Sequence, residues 1–304
     1  MQFGVAIWPF QWSPPYEDGL LRVRGLGFRN VELIAWNRDI LVEYYTPHRV
    51  AALVRLMADE GLALSEFVFS PAGIAELDAS RRAAAVEDFK RAADTARALG
   101  ATIINSVVAT PFGIATPRLL ELPETQEVAI DLPRGLDWAE GYRIYVDALR
   151  DCCTVCERVG LRYALEAHPH RWATTAMSFL RLIDHVGSPA LGVNMDPSHM
   201  FPCGDLPQMA AYELGDRIFH THVSDNDGQT NAHWRPGKGK IDWAGMLAAL
   251  DDVGYTGVIS IELEDVPGRA NRVSVTATEA FDRENIESRR YLADIASKLG
   301  IELS

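Results

Sequence analysis

The chain has 304 residues, of which 48% are hydrophobic, 23% charged and 9% aromatic. This excludes a disordered segment, a collagen and a small disulfide scaffold; the length fits two ordinary domains or one α/β barrel of about 250 residues with insertions. The 29 basic and 42 acidic residues leave a net charge of −13, which opposes binding to nucleic acid or an anionic membrane.

Apolar, β-rich runs alternate with helical stretches along the chain. The opening MQFGVAIWPFQW has no basic start and no small-residue cleavage site, so it reads as a strand (3–8) and not as a signal peptide. A strand at 30–36 follows, then a helix at 47–61 with Pro47 in its first turn. Further strands are expected at 63–70, 102–108, 162–168, 191–196, 217–223 and 257–263. Helices are expected at 80–100, 138–160, 241–254 and 285–300, several of them ending in glycine. No apolar run approaches the roughly 20 residues of a membrane span.

Strands alternating with helices predict a parallel sheet, and eight near-continuous apolar strands predict its closure into a (β/α)8 TIM barrel. A doubly wound sheet would want a glycine-rich turn after strand one, where this chain has WPFQWSPP. Nothing reads as a linker, so residues 1–304 form one domain. The Pro-rich stretch 109–137, after strand four, is long for a connection, and is expected to cover the active-site face or make a subunit contact. Cys152, Cys153 and Cys156 crowd one helix and Cys203 stands apart. A lone CxxC with no second pair reads as reduced, structural thiols in a cytoplasmic protein.

The reactive face of such a barrel is the ring of strand C-terminal ends. Strand five ends in Glu166, Ala167 and His168, and strand six in Asp196, Pro197, Ser198 and His199. Strand seven carries His220 and His222, and strand eight Glu262 and Glu264. Six of the eight histidines lie in or just beyond these strands. Glu166, Asp196, His222 and Glu262 come from four consecutive strands, each in apolar sequence where an unpaired charge is costly. Three carboxylates brought together need a cation or a proton between them. Oxygen ligands with one imidazole suit Mn²⁺, Mg²⁺ or Co²⁺. The alternative for any one of them is a strand-end residue that caps the following helix.

ALEAHPH, VNMDPSHM, HTHVSDNDG, HWRPGKGKIDW and YTGVISIELED, with GFRNVEL in strand two, resemble the xylose isomerase-like barrel superfamily. This is the sugar phosphate isomerase/epimerase and AP endonuclease family 2 group, and the closest motifs are those of its ketose 3-epimerase-like members. The resemblance implies that Glu166, Asp196, His222 and Glu262 bind one divalent ion, with Mn²⁺ first. His222 is preferred to His220 because the family ligand precedes x-x-Asp, and Glu262 to Glu264 by its spacing from Gly257. Glu166 and Glu262 are implied as the acid/base pair that moves a proton beside a carbonyl through a metal-stabilised enediolate. His199 resembles a family histidine that contacts substrate or a second metal. The DNA-repair branch needs histidines on strands three and four, where this chain has EFVFSP and INSVVATP.

His168 lies two residues after Glu166, on the same strand face. It is the candidate base of the alternative activity, a lyase, dehydratase or C-glycoside deglycosidase subunit working on a keto-sugar. His233 and Arg235 are polar substrate contacts, and Trp8 and Trp36, with Phe10, Trp12, Trp172 and Trp234, are candidate walls of a sugar pocket. The stretch 236–240, PGKGK, reads either as a phosphate site or as a turn. The expected partners are a small carbohydrate and further copies of the chain, or a different subunit for a deglycosidase, with neither nucleic acid nor membrane.

Overall fold

The computed structural model describes residues 1–115, 130–265 and 279–304. Eight parallel strands close into a barrel in sequence order: β1 (Gln2–Ala6), β2 (Asn30–Ile34), β3 (Ala63–Val68), β4 (Ile103–Val107), β5 (Arg162–Glu166), β6 (Leu191–Met195), β7 (Ile218–Val223) and β8 (Val258–Ile261). Outside them run α1 (Glu17–Gly25), α2 (Arg38–Glu43), α3 (Pro47–Asp59), α4 (Ala79–Leu99) and α5 (Trp138–Val159). They are followed by α6 (Ala176–Val186), α7 (Pro197–Met200), α8 (Pro207–Leu214), α9 (Trp243–Asp252) and α10 (Glu279–Leu299). The (β/α)8 architecture expected from the alternation is the one observed. All eight expected strands are present, each ending within two residues of its expected C-terminus.

Local chemistry sets the helix boundaries. Thr46, Asp78, Asp137, Thr175 and Asp242 each accept a backbone N–H at a helix start. Gly100, Gly160 and Gly187 take the left-handed conformation that ends α4, α5 and α6. Helices α1, α2, α6, α7 and α8, none longer than 11 residues, lie beyond the sequence expectation. α10 starts six residues before the expected 285. α4 turns Ala85, Ala92, Ala93 and Ala96 inward, which lets it approach the barrel closely. Among the described residues no helix is long and apolar enough to cross a membrane.

Of the 109–137 segment, 116–129 lie outside the described residues, so its expected covering or contact role is not decided there. The described start packs Phe112 on Trp172 and Trp138, with ring centroids 5.6 and 5.5 Å apart. Trp172 therefore belongs to an aromatic cluster that also includes Tyr142 and Tyr145, beside α5.

Cys152, Cys153 and Cys156 lie on the buried face of α5, and Cys203 is half-buried. Burial pushes the Cys152 thiol well up, Cys153 up to about 12, Cys156 up as well, and Cys203 up to about 11. Thiolate is the reactive form, so a thiol-specific disulfide reagent at pH 8 is expected to titrate no more than Cys203 in the native protein and all four after denaturation. Rapid native modification of two or more would contradict this packing.

Candidate active site

Four consecutive strands deliver their polar ends to one point. Glu166 is the last residue of β5, Asp196 follows β6, His222 lies in β7 and Glu262 follows β8. The Glu262 N–H extends the ladder by donating to the Val223 carbonyl. One ligand atom from each of the four lies within 4.8 Å of the others, and all four residues are buried. His222 Nδ1 is 2.5 Å from Glu166 Oε1 and 3.3 Å from Glu262 Oε2. Asp196 is also a helix cap, accepting the Ser198 N–H through Oδ1 at 2.7 Å. Capping and clustering are thus not alternatives here, because they use different oxygens. Asp196 Oδ2 and Glu262 Oε2 are buried and accept no hydrogen bond, which leaves two oxygen ligand atoms turned to the same point.

The electrostatics follow from that crowding. Burial alone would push Glu166 up, but His222 and His168 outweigh it and hold the carboxyl well below its usual range. Asp196 goes the other way, raised well above by burial and by the charges of Glu262 and Glu166. Burial opposes a charge on His222, yet Glu32, Glu166 and Glu262 raise it well above the ordinary imidazole value. Protons thus relieve the carboxylate repulsion, as a cation bound among the same atoms would.

Three histidines flank the cluster. The His168 ring stacks on His199 at 3.6 Å between centroids, and its Nε2 is 3.8 Å from Glu166 Oε2. His199 Nε2 is 3.6 Å from Asp196 Oδ2, and its Nδ1 is 2.8 Å from Asn231 Oδ1. His233 packs edge-on to His199, with Nδ1 2.9 Å from Ser224 Oγ. Trp8 donates its indole N–H to Glu262 Oε1 at 2.7 Å and meets the His222 ring edge-on. Trp36 lies outside Trp8, 41% exposed and stacked on Trp12. Arg235 turns elsewhere, its Nε 3.4 Å from Glu284 on α10.

The PGKGK stretch folds as a turn around buried Asp225, which accepts from the N–H groups of Gly237 and Ile241 and from Trp243 Nε1. A side chain at Gly239 would bring its Cβ to 2.2 Å from the Asn226 carbonyl oxygen. Lys238 pairs with Glu284. Removing a buried acceptor strands its donors at about 1–3 kcal/mol each. Asp225→Ala should therefore lower unfolding free energy by at least about 3 kcal/mol in urea denaturation, and a change under about 1 kcal/mol would count against this role.

Sequence reasoning missed a second polar layer inside the barrel. Glu32, Glu66, Asn105, Asn194, His220 and Ser260 are all buried there. Strand register places Glu32 beside Glu66 and His222 beside Ser260. The signal was available, since NVELIAW and ALSEFVFS each set one carboxylate in an apolar strand. His220 belongs to this inner layer, whereas the His222 ring belongs to both, its Nε2 facing Glu32 and Glu66 and its Nδ1 facing Glu166 and Glu262.

Residues 20–284 match the family described as xylose isomerase-like TIM barrel, and the chain belongs to it. It is 23% identical to the D-psicose 3-epimerase of Agrobacterium fabrum over 266 residues, 86% of this chain and 84% of that one. It is 26% identical to the inosose isomerase of Bacillus subtilis over 162 residues, 50% of this chain and 55% of that one. Some matches to curated relatives thus span only about half of the relative's length. A D-psicose 3-epimerase from Clostridium cellulolyticum H10, solved with D-tagatose, has the same fold, with a TM-score of 0.75 at 19% identity over 97% of this chain and 99% of that one.

Proposed function

We propose that this chain is a divalent-metal-dependent isomerase or epimerase of a sugar or sugar phosphate. The carrying observation is the buried set Glu166, Asp196, His222 and Glu262, whose donor atoms lie within 4.8 Å of one another. The orphaned Asp196 Oδ2 and Glu262 Oε2 and the oxygen-rich donor set fit Mn²⁺, with Mg²⁺ or Co²⁺ as alternatives. Relatives named as psicose, fructoselysine and inosose enzymes support a ketose-like substrate. A cation held by these four residues would supply Lewis-acid stabilisation of the charge that develops on the sugar oxygens.

Glu166 and Glu262 move the proton in this reading, one removing it beside the carbonyl and the other returning it. Trp8 holds Glu262 through Oε1, and leaves Oε2 turned inward. His199 and His233 orient substrate hydroxyls, and Trp8 and Trp36 offer apolar faces to the sugar ring, whereas Arg235, paired with Glu284, takes no part. His168 favours a second reading. Its Nε2 lies 3.8 Å from Glu166 Oε2, so in a lyase or dehydratase it would serve as base. Proton NMR in D₂O with Mn²⁺-loaded protein and a panel of ketoses and 3-keto-glycosides tests both. Deuterium exchange without loss of a group supports the isomerase or epimerase; loss of water or an aglycone supports the lyase; no exchange with any of them refutes both.

A further inference from the structure

The interior of a TIM barrel is ordinarily packed with branched apolar side chains. Here a layer of buried polar groups lies beneath the candidate metal site, and the His222 ring joins the two levels. Its Nδ1 faces Glu166 and Glu262, and its Nε2 is 2.9 Å from Glu32 Oε2. Glu66 Oε1 and Asn194 Nδ2 are more distant neighbours of Nε2, each at 3.2 Å, and Glu66 Oε2 accepts no hydrogen bond. Glu32 is itself fixed: Oε1 accepts from Ser260 Oγ and lies 3.6 Å from His220 Nε2. The paired register of β2 with β3 and of β7 with β8 sets these groups side by side.

We infer that Glu32 is a positioning residue for the metal centre: it accepts the Nε2–H of His222, and so fixes the ring and the tautomer that present the Nδ1 lone pair to an ion held with Glu166, Asp196 and Glu262. An imidazole that ligates through one nitrogen commonly donates the other N–H to a carboxylate, which raises its basicity as a ligand. The inference rests on the metal reading above and adds a residue from the opposite side of the barrel.

The test is a Mn²⁺ titration of chelator-stripped protein, followed by the electron paramagnetic resonance signal of the free ion. One ion per parent chain is expected. Glu32→Leu removes the nearer acceptor of the His222 N–H, leaving Glu66 Oε1 at 3.2 Å, and should weaken Mn²⁺ binding by about 10–100-fold. Glu32→Gln keeps an uncharged acceptor and should recover part of that loss, a graded response that a purely structural role would not give. Unchanged affinity in Glu32→Leu, within twofold of a Mn²⁺-binding parent, overturns this inference alone. Two tight ions per chain would mean that the inner layer holds a cation of its own, which also overturns it. A parent chain that binds no Mn²⁺ overturns the metal reading and the inference with it. Should Glu32→Leu not fold, Glu32→Gln decides. A charged acceptor is worth about twice a neutral one, so about threefold weaker binding is expected, and an unchanged value overturns the inference.

Discussion

Glu166→Gln and Glu262→Gln are each expected to remove nearly all turnover of the ketose found by the exchange screen, while part of the metal content remains. A carboxamide still offers one oxygen to a cation but cannot take up a proton, and loss of a general base costs about 10²–10⁴-fold. The two residues reach the site from β5 and from the end of β8, and each is held by a different neighbour: Glu166 by His222, and Glu262 by Trp8. Either change also disturbs the charge around His222 Nδ1, which adds to the loss. His168→Ala should be milder, because that ring stacks on His199 at the edge of the cluster. If the chain is a lyase the order changes, and His168→Ala becomes as damaging as the glutamate changes with metal content intact. Near-normal turnover by metal-replete Glu262→Gln would refute the two-carboxylate mechanism.

Exhaustive chelation should abolish activity, and Mn²⁺ or Co²⁺ should restore it. Three carboxylates and one imidazole without a cation can relieve their mutual repulsion only by binding protons, and Asp196 is accordingly pushed well up by burial, Glu262 and Glu166. Proton transfer beside a carbonyl also needs a partner for the charge that develops on oxygen, and loss of a metal Lewis acid removes several kcal/mol of that stabilisation. Stability should move with activity. A ligand that binds only the folded state at 100 times its Kd stabilises by about 2.7 kcal/mol, which is read as a rise in Tm on adding Mn²⁺ to stripped protein. Full turnover after exhaustive chelation would be decisive against metal dependence.

Much of this was legible in the sequence by itself. Alternation of apolar strands with helices ending in Gly100 or Gly160 determined the barrel, because each helix must pack one face on a sheet buried on both sides. The strand-end positions of Glu166, Asp196, His222 and Glu262 were equally legible, since charge in apolar strands is rare and register carries strand ends to one mouth. Tertiary structure alone decided how these groups are partnered. Asp196 serves as helix cap and cluster member at once because its two oxygens diverge. Arg235 turns to Glu284 on a helix nearly 50 positions away in the chain. Asp225 gathers three donors, from the PGKGK turn, from Ile241 just after it and from α9, a convergence that no local pattern encodes. The layer of Glu32, Glu66, Asn194 and His220 depends on the register of strands far apart in sequence. Spacing along the chain says that Glu32 is unusual in its strand; only closure of the barrel brings its carboxylate to the ring of His222, 190 residues away.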